Sequence, residues 1–287
     1  MPPDLSVLIV NYNSDSFLRR CLKSIYEFTR DMEFEIFVVD NASSDGSMKD
    51  IPEEFPQVNL ILNSQNLYFS KASNLALKCS KGRYVMILNP DTYLIDNAFK
   101  KLVDFMEHHR NAGACGPKFL NFDGTLQATG NRYPTPLYVF FEFSFLNTLF
   151  PNNPLRRNRR YGELNEREDF EIEATGGACM LVRREAFHQA GPLDDKFLMY
   201  AEETDWCQRI RQAGWKIFYV SGASIYHYGG GSTRTEEREK MDKIFHQSLL
   251  YFCRKHYGFF VFLFLSIASW INLWLLYFYR RLKVVIQ

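Results

Sequence analysis

A chain of 287 residues is long enough for one large α/β domain with room for an appended element. Its 34 basic and 33 acidic side chains nearly cancel, leaving a formal charge of +1, so no global field points to nucleic acid as a partner. The six cysteines (Cys21, Cys79, Cys115, Cys179, Cys207 and Cys253) are scattered without a C-x-x-C pair, which argues against a zinc site or a disulfide framework and for a reducing compartment.

The start, Met1-Pro2-Pro3-Asp4, lacks the basic n-region of a signal peptide, so the chain is expected to begin in the cytosol. Leu5–Val10 reads as a short buried strand ended by the polar turn Asn11-Tyr12-Asn13-Ser14-Asp15. A helix is predicted from about Ser16, with Phe17, Leu18, Cys21, Leu22 and Ile25 on one face. Ile36–Val39 is a second strand, followed by the polar stretch Asp40–Gly46. Val58–Leu62 is a third, followed by a helix carrying Ala72, Leu75, Ala76 and Cys79. Tyr84–Leu88 is a fourth and runs into Asn89-Pro90-Asp91, where the proline removes a ladder donor and ends the strand. Strand, polar loop and helix alternating four times predict a mostly parallel sheet with flanking helices and its loops gathered at one edge.

A helix over Asp96–His109 leads to the loop-rich Gly116–Pro136. The aromatic run Leu137–Phe150 then meets a basic cluster, Arg156, Arg157, Arg159 and Arg160, and suits either core or a surface lying on anionic lipid. Glu173–Val182 is predicted as a strand containing Gly176-Gly177. Glu202-Glu203-Thr204-Asp205 opens a helix carrying Trp206, Ile210 and Ala213, with Gly214 suited to its C-terminal cap. Lys216–Val220 is a further strand, and His227 precedes a glycine loop. Gly258–Tyr279 contains no charged residue, and as a helix it is long enough to cross a hydrocarbon core of ~30 Å. Flanked by Arg254 and Lys255 before it and by Arg280, Arg281 and Lys283 after it, it is expected to be a membrane helix, spanning or lying in the interface.

Three places carry chemistry. Asp91 stands just past a central strand, where open α/β sheets hold ligands, and its carboxylate beside Asn89 offers hard oxygens to Mg²⁺ or Mn²⁺ and so to a diphosphate; Asn-Pro-Asp is equally a plain turn. Asp40 or Asn41, at the second strand end, suits the imide edge of a uracil or thymine ring. Three carboxylates in four residues at Glu202–Asp205 exceed what a helix N-terminus needs, so one is a candidate general base. His227 is either structural or a further metal ligand. No G-x-G-x-x-G follows a strand and no P-loop occurs, which counts against a nicotinamide or flavin enzyme and a P-loop nucleotidase.

Taken together, SVLIVNYNS (Ser6–Ser14), VVDNASSDGS (Val38–Ser47), ILNPDT (Ile87–Thr92), GPKFLNFDGTLQ (Gly116–Gln127), GGACMLVRREAF (Gly176–Phe187), EETDWCQRIRQAGW (Glu202–Trp215) and HYGGGST (His227–Thr233) resemble the family 2 inverting glycosyltransferases of GT-A fold, in their rhamnosyltransferase-like branch. The resemblance covers roughly Leu5 to Thr233 and implies one GT-A domain, placed at residues 1–255; the hydrophobic membrane-associated helix and basic tail expected over 256–287 lie beyond the shared motifs and rest on the uncharged run itself. The resemblance also implies a hexosyltransferase moving a sugar, first of all rhamnose from dTDP-rhamnose, from a nucleotide-diphosphate donor to a lipid-linked or cell-surface glycan of cell-wall polysaccharide. Attachment to the cytoplasmic face of the cell membrane is expected through the C-terminal helix. Competing classes are a metal-dependent nucleotidyltransferase and a non-catalytic nucleotide-sugar-binding scaffold.

By the same resemblance, Asn11, Asp40, Asn41, Asn66, Asn74, Asn89 and Asp91 bind the nucleotide-sugar, with Asp91 and His227 at the metal. Glu203 takes the position of the catalytic base with Asp205 as its rival, and Glu202 and Trp206 face the acceptor. Glu203 departs from the family's Asp at that place. Asn66-Leu67-Tyr68-Phe69 departs from Asn-x-Gly-Phe, which puts the backbone there in question.

Overall fold

A computed structural model describes residues 2–14, 16–159, 161, 168–229 and 235–286; for residues 145, 148, 235–238 and 273–286 it describes the backbone alone. The first half follows directly from its apolar runs. Strands covered on both faces bury every side chain, so β1 (Leu5–Asn11) keeps Leu5, Val7, Leu8 and Ile9 essentially out of solvent. In α1 (Phe17–Phe28), Leu18, Cys21, Leu22 and Ile25 form the buried stripe that a 3.6-residue period dictates. β2 (Phe34–Asp40), α2 (Ile51–Glu54), β3 (Asn59–Leu62), α3 (Tyr68–Cys79) and β4 (Tyr84–Leu88) complete this half. The strands run parallel in the order β3-β2-β1-β4, with Asn11 paired to Asp40 and Ile9 to Leu88. Asn11, Asp40 and the Asn89-Pro90-Asp91 turn therefore emerge at one edge.

The second half is mixed. β5 (Thr92–Leu94), α4 (Ala98–His108), β6 (Ala112–Leu120) and β7 (Gly130–Asn131) come first, then three short helices, α5 (Pro136–Glu142), α6 (Phe145–Leu149) and α7 (Pro154–Arg159). β8 (Phe170–Ile172), β9 (Ala174–Thr175), β10 (Cys179–Arg183), α8 (Arg184–Ala190), α9 (Glu202–Gln212) and β11 (Lys216–His227) follow. β10 lies antiparallel between β4 and β6, while β11 runs parallel to β6 and antiparallel to β5 and β8. The sheet is thus mixed rather than mostly parallel. Gly176-Gly177 is one cause: it splits the expected Glu173–Val182 strand into β9, which leaves to pair with β7, and β10, which stays. β11 continues past Val220 to His227 because a bulge between Val220 and Ser224 absorbs the irregular residues.

The aromatic run Leu137–Phe150 divides. Tyr138 and Val139 are buried, whereas Leu137, Leu149 and Phe150 are exposed. The chain closes with α10 (Thr235–Tyr257) and α11 (Phe259–Ile286), which turn on Gly258 at φ +94°. No helix among the described residues is long and apolar enough to cross a membrane. This overturns the expected C-terminal membrane helix and attachment to a membrane through it. Lack of charge says nothing about which side of a helix is buried, and here one side is taken by protein. Leu265 and Ser269 are buried, Val261 and Phe262 pack with Leu249 and Cys253 of α10 and with Tyr138 of α5, and Ser269 Oγ meets His246 Nε2 at 2.6 Å. Gly230–Thr233, Arg160 and the side chains of Trp274, Arg280, Arg281 and Lys283 lie outside the described residues.

Candidate active site

Where β1 and β2 end, short polar side chains knit two loops together. Asn11 Nδ2 donates to Asp40 Oδ1 at 2.8 Å and also meets Ser43 Oγ and Ser47 Oγ, while Ser14 Oγ donates to Asn11 Oδ1. Asp40 Oδ1 accepts from Ser43 Oγ at 2.6 Å and Oδ2 from Ser43 N at 3.1 Å. Asn41 holds the next loop: its Nδ2 donates to Tyr68 O and its Oδ1 accepts from Asn63 Nδ2. Asn11 and Asn41 therefore shape this edge from below, and Asp40 Oδ2, with one bond only, keeps accepting capacity toward a ligand.

The loop that lacks the family's glycine keeps the glycine conformation. Tyr68 has φ +60°, fixed by Asn66 Oδ1 accepting from its N–H at 2.8 Å and by Phe69 N donating to Leu198 O at 3.0 Å. A left-handed non-glycine residue costs roughly 1–2 kcal/mol, which those bonds offset. Asn74 points elsewhere. Its amide joins α3 to the segment before α9, donating to Leu193 O at 2.8 Å and accepting from Leu193 N at 3.1 Å.

Register brings Asp91 and His227 together. β5 pairs with β11 so that His227 stands opposite Thr92, and Asp91 O accepts from Tyr228 N at 3.0 Å. His227 Nε2 lies 3.5 Å from Asp91 Oδ1. Gln127, which patterning did not single out, fixes the imidazole. Its Nε2 donates to His227 O at 2.5 Å and Asn121 Oδ1 at 2.7 Å, so its Oε1, 2.9 Å from Nδ1, accepts a hydrogen bond from the Nδ1–H. Nε2 is therefore the nitrogen that faces the Asp91 carboxylate, which puts one imidazole nitrogen and one carboxylate oxygen side by side at the strand ends. Among the described residues no three His, Cys, Asp or Glu side chains converge on a metal site. The donor set, one carboxylate and one imidazole, is of the type that fits Mg²⁺ or Mn²⁺ when further oxygens come from a nucleotide diphosphate.

Three adjacent carboxylates have three environments. Two consecutive left-handed residues, Tyr200 (φ +68°) and Ala201 (φ +64°), turn the chain into α9. Glu202 is buried and its Oε2 has no partner; burial, then the neighbouring Glu203 charge, pushes its carboxyl well above the usual range. Burial raises Glu203 too, but Thr204 Oγ1 donates to it at 3.1 Å and the charge of Arg159 favours its ionised form. Its side chain packs over Gly177, where an added Cβ would stand 3.4 Å from Glu203 Cγ. The next residue, Ala178, accepts from Asn89 N at 2.9 Å, which ties Glu203 to the Asp91 turn.

Asp205 has no exposed surface. Burial alone would raise its pKa, but His256 and Lys255 on its Oδ1 and Arg209 on its Oδ2, each at 2.8 Å, hold it below the usual range. Trp206 is also wholly buried, with Nε1 donating to Gly191 O at 2.8 Å, so it supports α9 from the core rather than meeting an acceptor. The residues sequence reasoning missed are Gln127, Lys255 and His256. Gln127 lay within a quoted motif, and the other two lie in a stretch with little apolar period.

Residues 6–191 match the sequence profile of Glycosyl transferase family 2. The chain belongs to that family. It is 26% identical over 266 residues to an N-acetylglucosaminyl-diphospho-decaprenol L-rhamnosyltransferase of Mycobacterium tuberculosis, covering 88% of this chain and 85% of that protein. The rhamnosyltransferase WbbL of Escherichia coli (strain K12) is 23% identical over 80% of this chain and 85% of its own. Among solved structures, GalNAc-T7 with UDP, GalNAc and Mn²⁺ superposes with a TM-score of 0.58 at 17% identity, over 79% of this chain. This chain spans 44% of that structure's length, and the likeness establishes the shared fold.

Proposed function

We propose that this family 2 glycosyltransferase is an inverting, metal-dependent hexosyltransferase that moves rhamnose from a dTDP-linked donor to a hydroxyl of a lipid-linked glycan. The observation that carries the reading is the division of labour at 202–205: Glu202 is buried with an unpartnered Oε2, Asp205 is taken up by Arg209, Lys255 and His256, and Glu203 is half-buried with one bond, from Thr204. Only Glu203 is free to take a proton. The names of the mycobacterial and E. coli relatives support rhamnose, and the former supports a diphospho-polyprenol acceptor.

In the reaction, the acceptor hydroxyl donates its proton to Glu203 as its oxygen bonds to carbon 1 from the face opposite the diphosphate. The bond from carbon 1 to the diphosphate oxygen breaks, the nucleoside diphosphate leaves and the anomeric configuration inverts. Asp40 Oδ2 accepts from the imide N–H of the base. Asp91 and His227 would hold Mg²⁺ or Mn²⁺, whose chemistry is to neutralise charge on the departing diphosphate. Gln127 keeps His227 turned for that task. Incubation with UDP-, dTDP- and GDP-sugars plus Mn²⁺ tests the proposal: release of dTDP from dTDP-rhamnose, dependent on acceptor, is expected, and release of pyrophosphate instead refutes it.

A further inference from the structure

Phe122 is a large apolar side chain that the stretch from Gly116 to Gln127 leaves in solvent: it is 53% exposed, on a turn locked from within. Asn121 N donates to Thr125 O at 2.8 Å and Gly124 N to Asn121 O at 2.9 Å, with Gly124 at φ +81°. Asp123 Oδ1 accepts from Thr125 N at 2.9 Å and from Thr125 Oγ1 at 2.6 Å. Register gathers further rings around Phe122. Tyr226 stands opposite Leu120 on β6 and Tyr93 on β5, so the Phe122 ring, just past Leu120, stacks on Tyr226 (centroids 5.6 Å apart) and tilts against Tyr93 at 5.5 Å. Tyr228, 49% exposed, meets Phe122 at 5.7 Å and Phe17 of α1 at 4.8 Å.

Direct contacts tie these rings to the Asp91–His227 pair. Tyr228 N donates to Asp91 O at 3.0 Å and Gly229 N to Asp91 Oδ2 at 3.2 Å. Gln127 joins the Phe122 turn to the imidazole, with Nε2 on Asn121 Oδ1 at 2.7 Å and Oε1 at 2.9 Å from His227 Nδ1. Rings and pair are therefore held as one unit. On the proposed reading, a donor with its base at Asp40 and its diphosphate at Asp91 crosses the ends of β2, β1 and β4, strands about 4.8 Å apart. β5 and the end of β11 come after Asp91, so the rings begin where the nucleotide ends and are left for another group.

We propose that Phe122 and Tyr228, backed by Tyr226, Tyr93 and Phe17, form a saccharide subsite that holds a pyranose ring other than the one transferred. A pyranose joins two chemistries, a face of axial C–H bonds and a rim of hydroxyls. The C–H face suits the negative face of an aromatic ring, and the open rings of Phe122 and Tyr228 supply two such faces. The hydroxyl rim needs acceptors and donors beside the rings, and the exposed Asp123 and Thr125 flank Phe122 on the same turn. Hydrogen bonds from Thr125 hold the Asp123 carboxyl below its usual range, and a carboxylate so close to Phe122 is out of place against a phosphate or an anionic surface. The inference rests on the glycosyl-transfer reading and adds to it a second point of sugar recognition, set by stacking rather than by the donor's contacts.

Saturation-transfer NMR on the full-length protein, with dTDP and Mn²⁺ in excess to fill the donor site, tests the subsite directly. The probes are methyl α-L-rhamnopyranoside, methyl β-D-galactopyranoside and methyl N-acetyl-β-D-glucosaminide. At least one is expected to receive saturation at its ring C–H protons, equally in wild type and in Glu203→Gln. Phe122→Ala should weaken that binding about 3–10-fold, and Phe122→Tyr should keep it. Phe122→Leu, which preserves bulk without a π-face, should bind as weakly as Phe122→Ala, and the Tyr–Leu comparison stands whether or not the alanine variant is stable. No saturation of any probe, equal binding in Phe122→Ala, or full retention in Phe122→Leu overturns the inference. Absence of rhamnose transfer from dTDP-rhamnose would refute the glycosyl-transfer reading instead, and the binding order of the variants still decides the subsite.

Discussion

Glu203→Gln and Asp205→Asn replace carboxylates two residues apart by their isosteric amides, and the structure leads to opposite outcomes. Asp205 is fully buried and carries the contacts of Arg209, Lys255 and His256, each at 2.8 Å. Removing one partner of a buried ion cluster costs about 3–5 kcal/mol. Lys255 and Arg209 keep 25% and 17% of their side chains exposed, so water relieves part of the orphaned charge. A loss of about 2–3 kcal/mol is therefore expected, or a fall in Tm of roughly 5–10 °C for a domain of this size. Glu203 accepts one hydroxyl bond, from Thr204, and its amide would preserve the packing over Gly177. Its loss should leave Tm within about 2 °C and lower kcat by about 10²-fold or more. Thermal unfolding, steady-state kinetics and donor titration calorimetry separate the two, because a lost base leaves donor affinity alone. A stable Asp205→Asn protein that binds donor normally but does not turn over, beside an active Glu203→Gln, refutes the assignment.

Asp91→Ala should abolish Mn²⁺-dependent turnover with little change in Tm; full activity in excess Mn²⁺ would remove Asp91 from the site. Gln127→Leu deprives His227 Nδ1 of its acceptor, and an outer-shell loss of this kind should raise the Mn²⁺ concentration for half-maximal donor binding by about 10–100-fold. Turnover should fail before the fold as pH falls. Glu203, raised by burial, must be ionised to act, so the acid limb of kcat lies above the usual glutamate value of ~4.3. The Asp205 contribution to stability, from a lowered pKa, is complete above its unfolded value of ~3.9 and is lost only as pH drops through the lower folded value. Coincident loss of kcat and Tm would contradict this separation. A chain ending at Arg254 removes Lys255 and His256 and should lose both thermal stability and turnover; retention of both would show that Asp205 needs neither.

The strand ends of the first half are legible because burial on both faces leaves no choice of pattern: apolar runs stop where Asn11, Asp40 and Pro90 stop them. The Glu202–Asp205 cluster is visible as more carboxylates than a cap needs, whereas Asn89-Pro90-Asp91 by itself reads equally as a plain turn and stands out only through its place at a strand end. What the sequence hides is register. Nothing local says that His227 will stand opposite Thr92, because a bulge after Val220 and the detour through β9 set that pairing. Nor does spacing along α9 settle which of three carboxylates is spent: it offers Asp205 only Arg209, four residues on, while Lys255 and His256 arrive from α10. For the final helix, an uncharged run looks alike whether its partner is lipid or protein, and here Ser269 finds a histidine.

The part played by α10 explains how a strained turn can present a base. Tyr200 and Ala201 are both left-handed, at roughly 1–2 kcal/mol each, so the turn into α9 persists only if its surroundings over-determine it. α10 does this from the front: Ser248 Oγ donates to Met199 O at 2.7 Å, Phe245 meets the Tyr200 ring edge-on at 5.5 Å, and Leu249 packs in the cluster that buries Ala201. It does so again from behind, through Lys255 and His256 on Asp205. Glu203 lies between these two grips and takes its direction from them. A division of the chain at 255/256 cuts α10 between the two residues that share Asp205 Oδ1. On the proposed reading, α10 through Tyr257 belongs with the transferase domain, as the element that holds the proposed base in position.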